Sequence, residues 1–80
     1  SFSLNCAYFG IPCVGNNRAD TQNILFPKLS FDVYNIEGAL NATKRLKEDK
    51  EFYNECSNKS KLMYRKHYDI KEWKNKINLK

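Results

Sequence analysis

Two groups of residues near the N-terminus have the types and positions that bind phosphate groups. Ser1 and Ser3 lie at the start of a predicted helix, where free backbone N–H groups, that of Leu4 among them, and the positive end of the helix dipole attract anions. Asn17 and Arg18 lie in a polar turn after an apolar run. In open α/β sheets ligands gather outside the carboxyl ends of the strands, so this turn is predicted to border a ligand cleft. The alternative, that the serines only cap the helix and Arg18 is solvated, stays open.

The other side chains that catalyse reactions or bind metals do not form a recognisable set. His67 is the only histidine, and with no nucleophile or carboxylate at a suitable spacing we expect it on the apolar stripe of a helix. Cys6, Cys13 and Cys56 are unequally spaced and lack the Cys-x-x-Cys pairing of zinc and redox sites. We therefore predict no catalytic residue, no metal and no bound cofactor for this chain.

Length and cysteine content limit the class of protein. A chain of 80 residues is one domain at most, with a thin core. An odd number of cysteines favours reduced thiols and a cytoplasmic location, and the sequence contains no signal-peptide pattern and no apolar run that could span a bilayer. The chain starts at Ser1 without a methionine, which is typical of a processed product or of a piece of something longer.

Charge is concentrated in the second half of the chain. Residues 1–40 contain two basic and three acidic side chains, a net charge of −1, whereas residues 41–80 contain twelve basic and six acidic ones, a net charge of +6. This excess of positive charge is typical of a surface that binds nucleic acid or an anionic membrane, or of the solvated face of lysine-rich helices. Because acidic residues are interleaved with the lysines, a solvated helix face is favoured over a nucleic-acid-binding surface. Contact of the basic residues with the cytoplasmic face of a membrane stays open as an alternative.

The first part of the chain, residues 1–34, has the pattern of alternating helices and short strands. The predicted elements are a helix over 1–9, a strand over 11–15, a helix over 21–26 and a strand over 29–34. Phe2, Cys6 and Phe9 recur at helical spacing and are predicted to form the buried stripe of the first helix, and Gly10 to end it in the left-handed conformation. Pro27 is predicted to end the second helix.

Residues 35–80 are predicted to be helical throughout. Asn35 caps a helix to about Lys47, and Asp49 caps a second, longer one. The predicted buried stripes are Ile36, Ala39, Leu40, Thr43 and Leu46 in the first, and Phe52, Tyr53, Cys56, Ser60, Met63, Tyr64 and His67 in the second. Asp69 and Glu72 form a capping-box pattern for a last helix that contains Ile70, Trp73 and Ile77.

The predicted fold class is α/β, with two short parallel strands, flanking helices and a long helical C-terminal region. Two parallel strands make a poor sheet by themselves, because parallel strands are normally paired within larger sheets that are covered on both faces. We therefore expect either that the open sheet edge associates with another copy or a partner, or that residues 1–80 are part of a larger, doubly wound domain.

Two segments of the sequence resemble a known family. The run CAYFGIPCVG, residues 6–15, is similar to the Glu-Ala-small-apolar-x-Gly-x-Pro-Val-Val segment in the C-terminal, nucleotide-sugar-binding domain of GT-B fold glycosyltransferases of the group 1 type. The tail from Ala39 to Ile77 is also similar to the way those enzymes end. The resemblance covers nearly the whole chain. It implies a partial Rossmann-like unit, the C-terminal part of that domain.

The resemblance also implies a function. The full enzyme would transfer a sugar from a nucleoside diphosphate sugar to a glycan or lipid-linked acceptor, and the isolated chain would be inactive. In the retaining branch of the family, two glutamates act on the donor. Aligned on Gly10 and Pro12, the ribose-binding glutamate corresponds to Asn5, and the other glutamate would lie before Ser1. Asparagine retains the hydrogen-bonding groups but not the charge.

Overall fold

The computed structural model describes residues 2–69 and consists mostly of helix. The elements in chain order are helix α1 (Phe2–Phe9), strand β1 (Gly15–Asn16), helix α2 (Asp20–Leu25), a 3-10 turn (Pro27–Leu29), strand β2 (Ser30–Phe31), helix α3 (Ile36–Glu48) and helix α4 (Lys50–Tyr68). The helix predicted after Asp69, like Ser1, lies outside the described residues.

The two strands pair in parallel, as predicted. Gly15 is opposite Ser30 and Asn16 opposite Phe31, and the Asn17 amide donates a further hydrogen bond to the Phe31 carbonyl (2.9 Å). Both strands are shorter than the ranges predicted for them. In the first, the Cys13 carbonyl accepts a hydrogen bond from a side chain of α2 rather than from a neighbouring strand.

Local signals set the ends of the helices as predicted. Gly10 has φ of +70°, and its amide donates to the Ala7 carbonyl (3.1 Å), which closes α1. The Asn35 side chain accepts a hydrogen bond from the Gly38 amide (2.9 Å) at the start of α3. The Asp49 carboxylate accepts one from the Phe52 amide (3.1 Å) at the start of α4. Each cap satisfies a backbone group that the helix leaves without a partner.

The core lies where α1, α2 and the 3-10 turn meet α4. Its buried apolar residues are Cys6, Ala7, Cys13, Leu25, Phe26, Leu29, Ala42, Phe52 and Cys56. The stripe predicted for α4 is correct for Phe52, Cys56 and Ser60, which are buried. It is wrong for Tyr53 and His67, which are exposed.

The buried stripes predicted for α1 and α3 are correct only in part: Cys6 of the first is buried and Leu46 of the second packs against the core, whereas other members of each stripe are exposed. On α1 the side chains of Phe2 and Phe9 are 75% and 69% exposed, and the helix is buried instead through Cys6 and the small Ala7. Because α1 has no charged residue, its sequence does not mark a solvent face, and the small side chains are the ones that let α2 and α4 approach closely. On α3, Ile36 and Leu40 are exposed, and Ala42 is the residue that enters the core.

No helix within residues 2–69 combines the length and the apolar character needed to cross a membrane.

Candidate functional site

Gln22, in the first turn of α2, connects α1 and α2 with the segments that precede β1 and β2. Its side chain is 2% exposed. The side-chain NH2 group donates to the Cys13 carbonyl (2.7 Å) and, at 3.5 Å, to the Leu29 carbonyl. The side-chain carbonyl accepts a hydrogen bond from the Ser3 hydroxyl (2.6 Å). One buried amide thus holds the first turn of α1 against α2 and against the segments that lead into both strands.

The turn between β1 and α2 is organised by its own asparagines. The Asn16 side chain accepts a hydrogen bond from the Arg18 amide (2.8 Å), and the Asn23 side chain donates to the Asn17 carbonyl. These bonds fix the backbone of the turn and leave the Arg18 side chain exposed. The turn directly follows the carboxyl ends of the parallel strands, where ligands of open α/β sheets bind.

The predicted site residues of α1 lie on different sides of the helix. Ser3 faces α2, and its hydroxyl proton is used in the bond to Gln22, so in this arrangement the hydroxyl does not donate to a ligand. Leu4 packs against the core. Asn5 is exposed and lies about 200° around the helix from Ser3, since successive residues turn by about 100°. The geometry therefore joins Ser3 to α2 and, through Gln22, to the segment before β1, and it places Asn5 on the outer side of α1.

The cysteines are buried free thiols. Burial raises the pKa of Cys13, and the neighbouring Cys6 thiol raises it further. Burial likewise raises the pKa of Cys56, and the carboxylate of Glu55 adds to the effect. A thiol with a raised pKa is a poor nucleophile and a poor metal ligand at neutral pH, because the thiolate is the reactive form.

Within residues 2–69 no three side chains of histidine, cysteine, aspartate or glutamate are grouped in a way that could hold a metal ion. The exposed His67 ring lies beside the Tyr68 ring, with 6.2 Å between the ring centroids. The carboxylate of Glu55 forms an ion pair with Lys28, whose hydrogen bond lowers the pKa of that carboxyl. Both side chains are more than half exposed, so this pair joins the 3-10 turn to α4 on the surface.

A shallow hollow of about 240 Å³ lies between α1 and α4. Tyr8 and Tyr64 form one wall, with their rings edge to face and their centroids 5.6 Å apart. Lys61 and Arg65, one turn apart on α4, line it together with Asp69. Aromatic rings beside cations are the groups that bind nucleotide bases and phosphates, although the Asp69 carboxylate reduces the positive charge of the hollow.

Sequence reasoning missed Gln22. A glutamine within a short helix between two strands has no sequence feature that marks it as buried, since glutamine is mostly exposed in proteins. The available signal is indirect. The segments before the two short strands contain backbone carbonyls that lack a strand partner, and such groups need a polar partner when they are buried.

Comparison of the chain with protein-family models, with curated proteins and with solved structures finds no match.

Proposed function

We propose that this chain is the C-terminal part of the donor-binding domain of a GT-B glycosyltransferase, with a Rossmann-like arrangement that further strands complete. The observation that carries the proposal is the parallel pairing of β1 and β2, with the first turn of α1 held through the Ser3–Gln22 hydrogen bond against α2, the helix that begins after the turn at the end of β1. This is the relation of strand end and helix start that binds phosphate in α/β folds. The resemblance of residues 6–15 to the family supports the same function.

In this proposal the diphosphate of the donor lies at the first turn of α1, near the exposed turn at Asn17 and Arg18. The Arg18 guanidinium binds the diphosphate, whose charge increases when the bond between the sugar and the phosphate oxygen breaks. Asn5 hydrogen-bonds the ribose hydroxyls from the outer side of α1. The acceptor hydroxyl forms the new bond to the sugar and gives up its proton as the nucleoside diphosphate leaves. In this proposal the groups that bind the acceptor and take the proton belong to the rest of the full enzyme.

The test is nuclear magnetic resonance of the isotope-labelled chain with uridine diphosphate glucose and guanosine diphosphate mannose. A partial site is expected to bind weakly, with a dissociation constant of about 1 mM, equivalent to about −4 kcal/mol. The amide signals of Ser3, Leu4, Asn5 and Asn17 should move with one of the two ligands. An absence of shifts there at millimolar concentrations contradicts the proposal.

A matched pair of variants separates a site from general attraction of anions. Arg18→Gln should abolish the shifts, whereas Arg65→Gln, which removes another exposed cation, one that lines the hollow between α1 and α4, should leave them unchanged. Equal losses in both variants would indicate non-specific attraction to a basic protein.

A second candidate function is the binding of single-stranded nucleic acid in the hollow between α1 and α4. The observation that favours it is the placement of Tyr8 and Tyr64 beside Lys61 and Arg65. Stacking on the rings with contacts from both cations predicts an affinity for an oligonucleotide that falls as salt rises. Fluorescence anisotropy with a labelled oligothymidylate tests this, and an absent or salt-independent signal excludes it.

A further inference from the structure

The outer face of α1 is largely apolar, and most of its side-chain surface is exposed. Phe2 and Phe9 are mostly exposed, and they lie seven residues apart, two turns along the same side of the helix. Asn5 lies between them on that side and is also exposed. Tyr8, whose ring is edge to face with Phe9 at 5.0 Å, and Ile11 extend the surface at the C-terminal end. We call these five residues the α1 outer face.

The spacing of this face is self-complementary. If two copies of α1 pack antiparallel about a two-fold axis, Phe2 of one copy meets Phe9 of the other at both ends, and the two Asn5 side chains meet at the axis. A side-chain amide contains both a donor and an acceptor, so two of them can form a reciprocal pair of hydrogen bonds. An isologous interface requires this property, since the same residues must satisfy each other across the axis.

Charge favours a second copy over other partners. Helix α1 contains no charged residue, so pairing it with itself buries no charge. The nearest cations, Lys61 and Arg65, lie beside Tyr8 and Gly10 near its C-terminal end. Antiparallel packing therefore places the cations of the two copies at opposite ends of the interface. A lipid bilayer is a poorer cover, because acyl chains offer the central Asn5 amide no hydrogen-bond partner.

The area is that of a weak dimer. The exposed parts of Phe2, Tyr8, Phe9 and Ile11 amount to roughly 500 Å² in each copy, given that an aromatic side chain has about 150 to 250 Å² to bury. Two such faces together remove roughly 1,000 Å², the lower limit for a specific interface, where about 1,600 Å² is usual. We infer that the α1 outer face is the interface of a reversible, two-fold symmetric dimer of this chain. This inference does not rest on the proposed function.

Analytical ultracentrifugation of the chain between about 10 μM and 1 mM tests the dimer, since a small interface of this kind predicts dissociation in that range. Phe9→Glu should weaken association about tenfold or more, because a carboxylate would face the apolar residues at both ends. Leu40→Glu is the matched control: Leu40 is a comparably exposed apolar residue, but on α3. That variant should associate like the natural chain. Circular dichroism checks that both variants keep their helices.

Crosslinking tests the position of the axis. In Asn5→Cys the two new thiols meet at the two-fold axis, so mild oxidation should give a covalent dimer. Asn58→Cys, which changes an exposed asparagine of α4, should stay monomeric on a denaturing gel. The native cysteines are buried and are expected to contribute little.

Three outcomes overturn the inference. The first is a chain that stays monomeric at about 1 mM, a concentration at which even a weak specific interface is populated. The second is association that Leu40→Glu weakens and Phe9→Glu does not, which would locate the contact on α3. The third is a covalent dimer formed equally by Asn58→Cys, which would show collision rather than a defined axis.

Discussion

Gln22 is the side chain on which the arrangement of the first three elements depends most directly. Its three hydrogen bonds connect Ser3, Cys13 and Leu29, which belong to α1, the segment before β1 and the 3-10 turn. A backbone bond between strands would have joined only two segments. The buried amide therefore holds α1 and α2 together with the segments that lead into both strands.

Replacing Gln22 with methionine keeps the shape of the side chain and removes these hydrogen bonds. We expect Gln22→Met to lower the free energy of unfolding by about 1–3 kcal/mol, because the Cys13 carbonyl and the Ser3 hydroxyl lose a buried partner. Urea denaturation measures the change. Asn58→Met, at an exposed position of α4, should alter stability by less than about 0.5 kcal/mol. Equal effects in the two variants would contradict the role of Gln22.

The buried thiols predict a loss of stability in alkali. Burial raises the pKa of Cys13 and Cys56 above their usual value of 9.0 in the folded chain. The folded state therefore holds these protons more tightly than the unfolded state. Their contribution to stability is fully present below pH 9.0 and is lost as the pH rises through the higher folded-state pKa.

Urea denaturation at pH of about 8 and about 10 measures this loss, because that interval spans the usual pKa of a thiol. Cys56→Ala should reduce the difference between the two midpoints, since one of the two groups no longer titrates. An unchanged difference in Cys56→Ala would show that other groups cause the alkaline loss.

At the scale of the elements, the corner between α1 and β1 depends on one glycine. Gly10 adopts φ of +70°, and its carbonyl accepts a hydrogen bond from the Ser57 hydroxyl of α4 (2.6 Å). A Cβ added at this position would lie 2.7 Å from the Lys61 side chain. The Lys61 stem is flexible and can move, and the Ser57 hydroxyl oxygen, 3.0 Å from such a Cβ, needs to shift only slightly, so the positive φ is the main obstacle to a larger residue.

Gly10→Ala should therefore lower the free energy of unfolding by about 1–2 kcal/mol, the cost of the left-handed conformation for a residue with a Cβ. Gly10→Asn should cost less, because asparagine adopts this conformation more readily. Thermal denaturation of the two variants gives the comparison. If asparagine destabilised the chain as much as alanine, contact with α4 rather than backbone strain would be the cause.

The same elements show which features could be predicted from the sequence. The caps at Asn35 and Asp49 and the stop at Gly10 were predicted correctly, because each depends on the chemistry of a few neighbouring residues. The parallel pairing was also predicted. The inward faces of α1 and α3 were predicted only in part, because these depend on which side chains let another helix approach. On α1, apolar residues on every side made Phe2 and Phe9 as plausible for the core as Cys6 and Ala7.

The site was predictable only in part, for a similar reason. The turn at Asn17 and Arg18 follows β1 as the sequence indicated. The direction of Ser3 toward α2 and the use of its proton by Gln22 depend on a contact between residues nineteen positions apart, which no local pattern contains.

In the part of the molecule that the structure describes, residues 2–69, two large apolar surfaces are exposed. One is the α1 outer face, and the other consists of Val33, Tyr34, Ile36 and Leu40 at the start of α3. A small chain with a two-residue parallel ladder has little core to offset such exposure. The second surface lines a hollow with Asp32, and Glu37 is exposed on the same helix turn, so two copies meeting there would bring like charges together. Self-association through the α1 outer face is therefore favoured over self-association through the apolar surface of α3.

Asn5 belongs both to the proposed donor site and to the inferred dimer interface, so the two proposals together predict competition between donor and dimer. If Asn5 hydrogen-bonds the ribose, a copy seated on the α1 outer face excludes the donor, and the donor must weaken the dimer by the same factor. Uridine diphosphate glucose at about ten times its dissociation constant should then raise the apparent dimer dissociation constant at least severalfold in the ultracentrifuge. In Arg18→Gln, which removes the proposed diphosphate contact and changes no residue of the α1 outer face, the nucleotide sugar should lose this effect while the dimer itself stays intact. A different result would be that the ligand shifts the Asn17 amide signal but does not change association. Asn5 would then not belong to the donor site, whereas the proposals for the turn after β1 and for the dimer would stand.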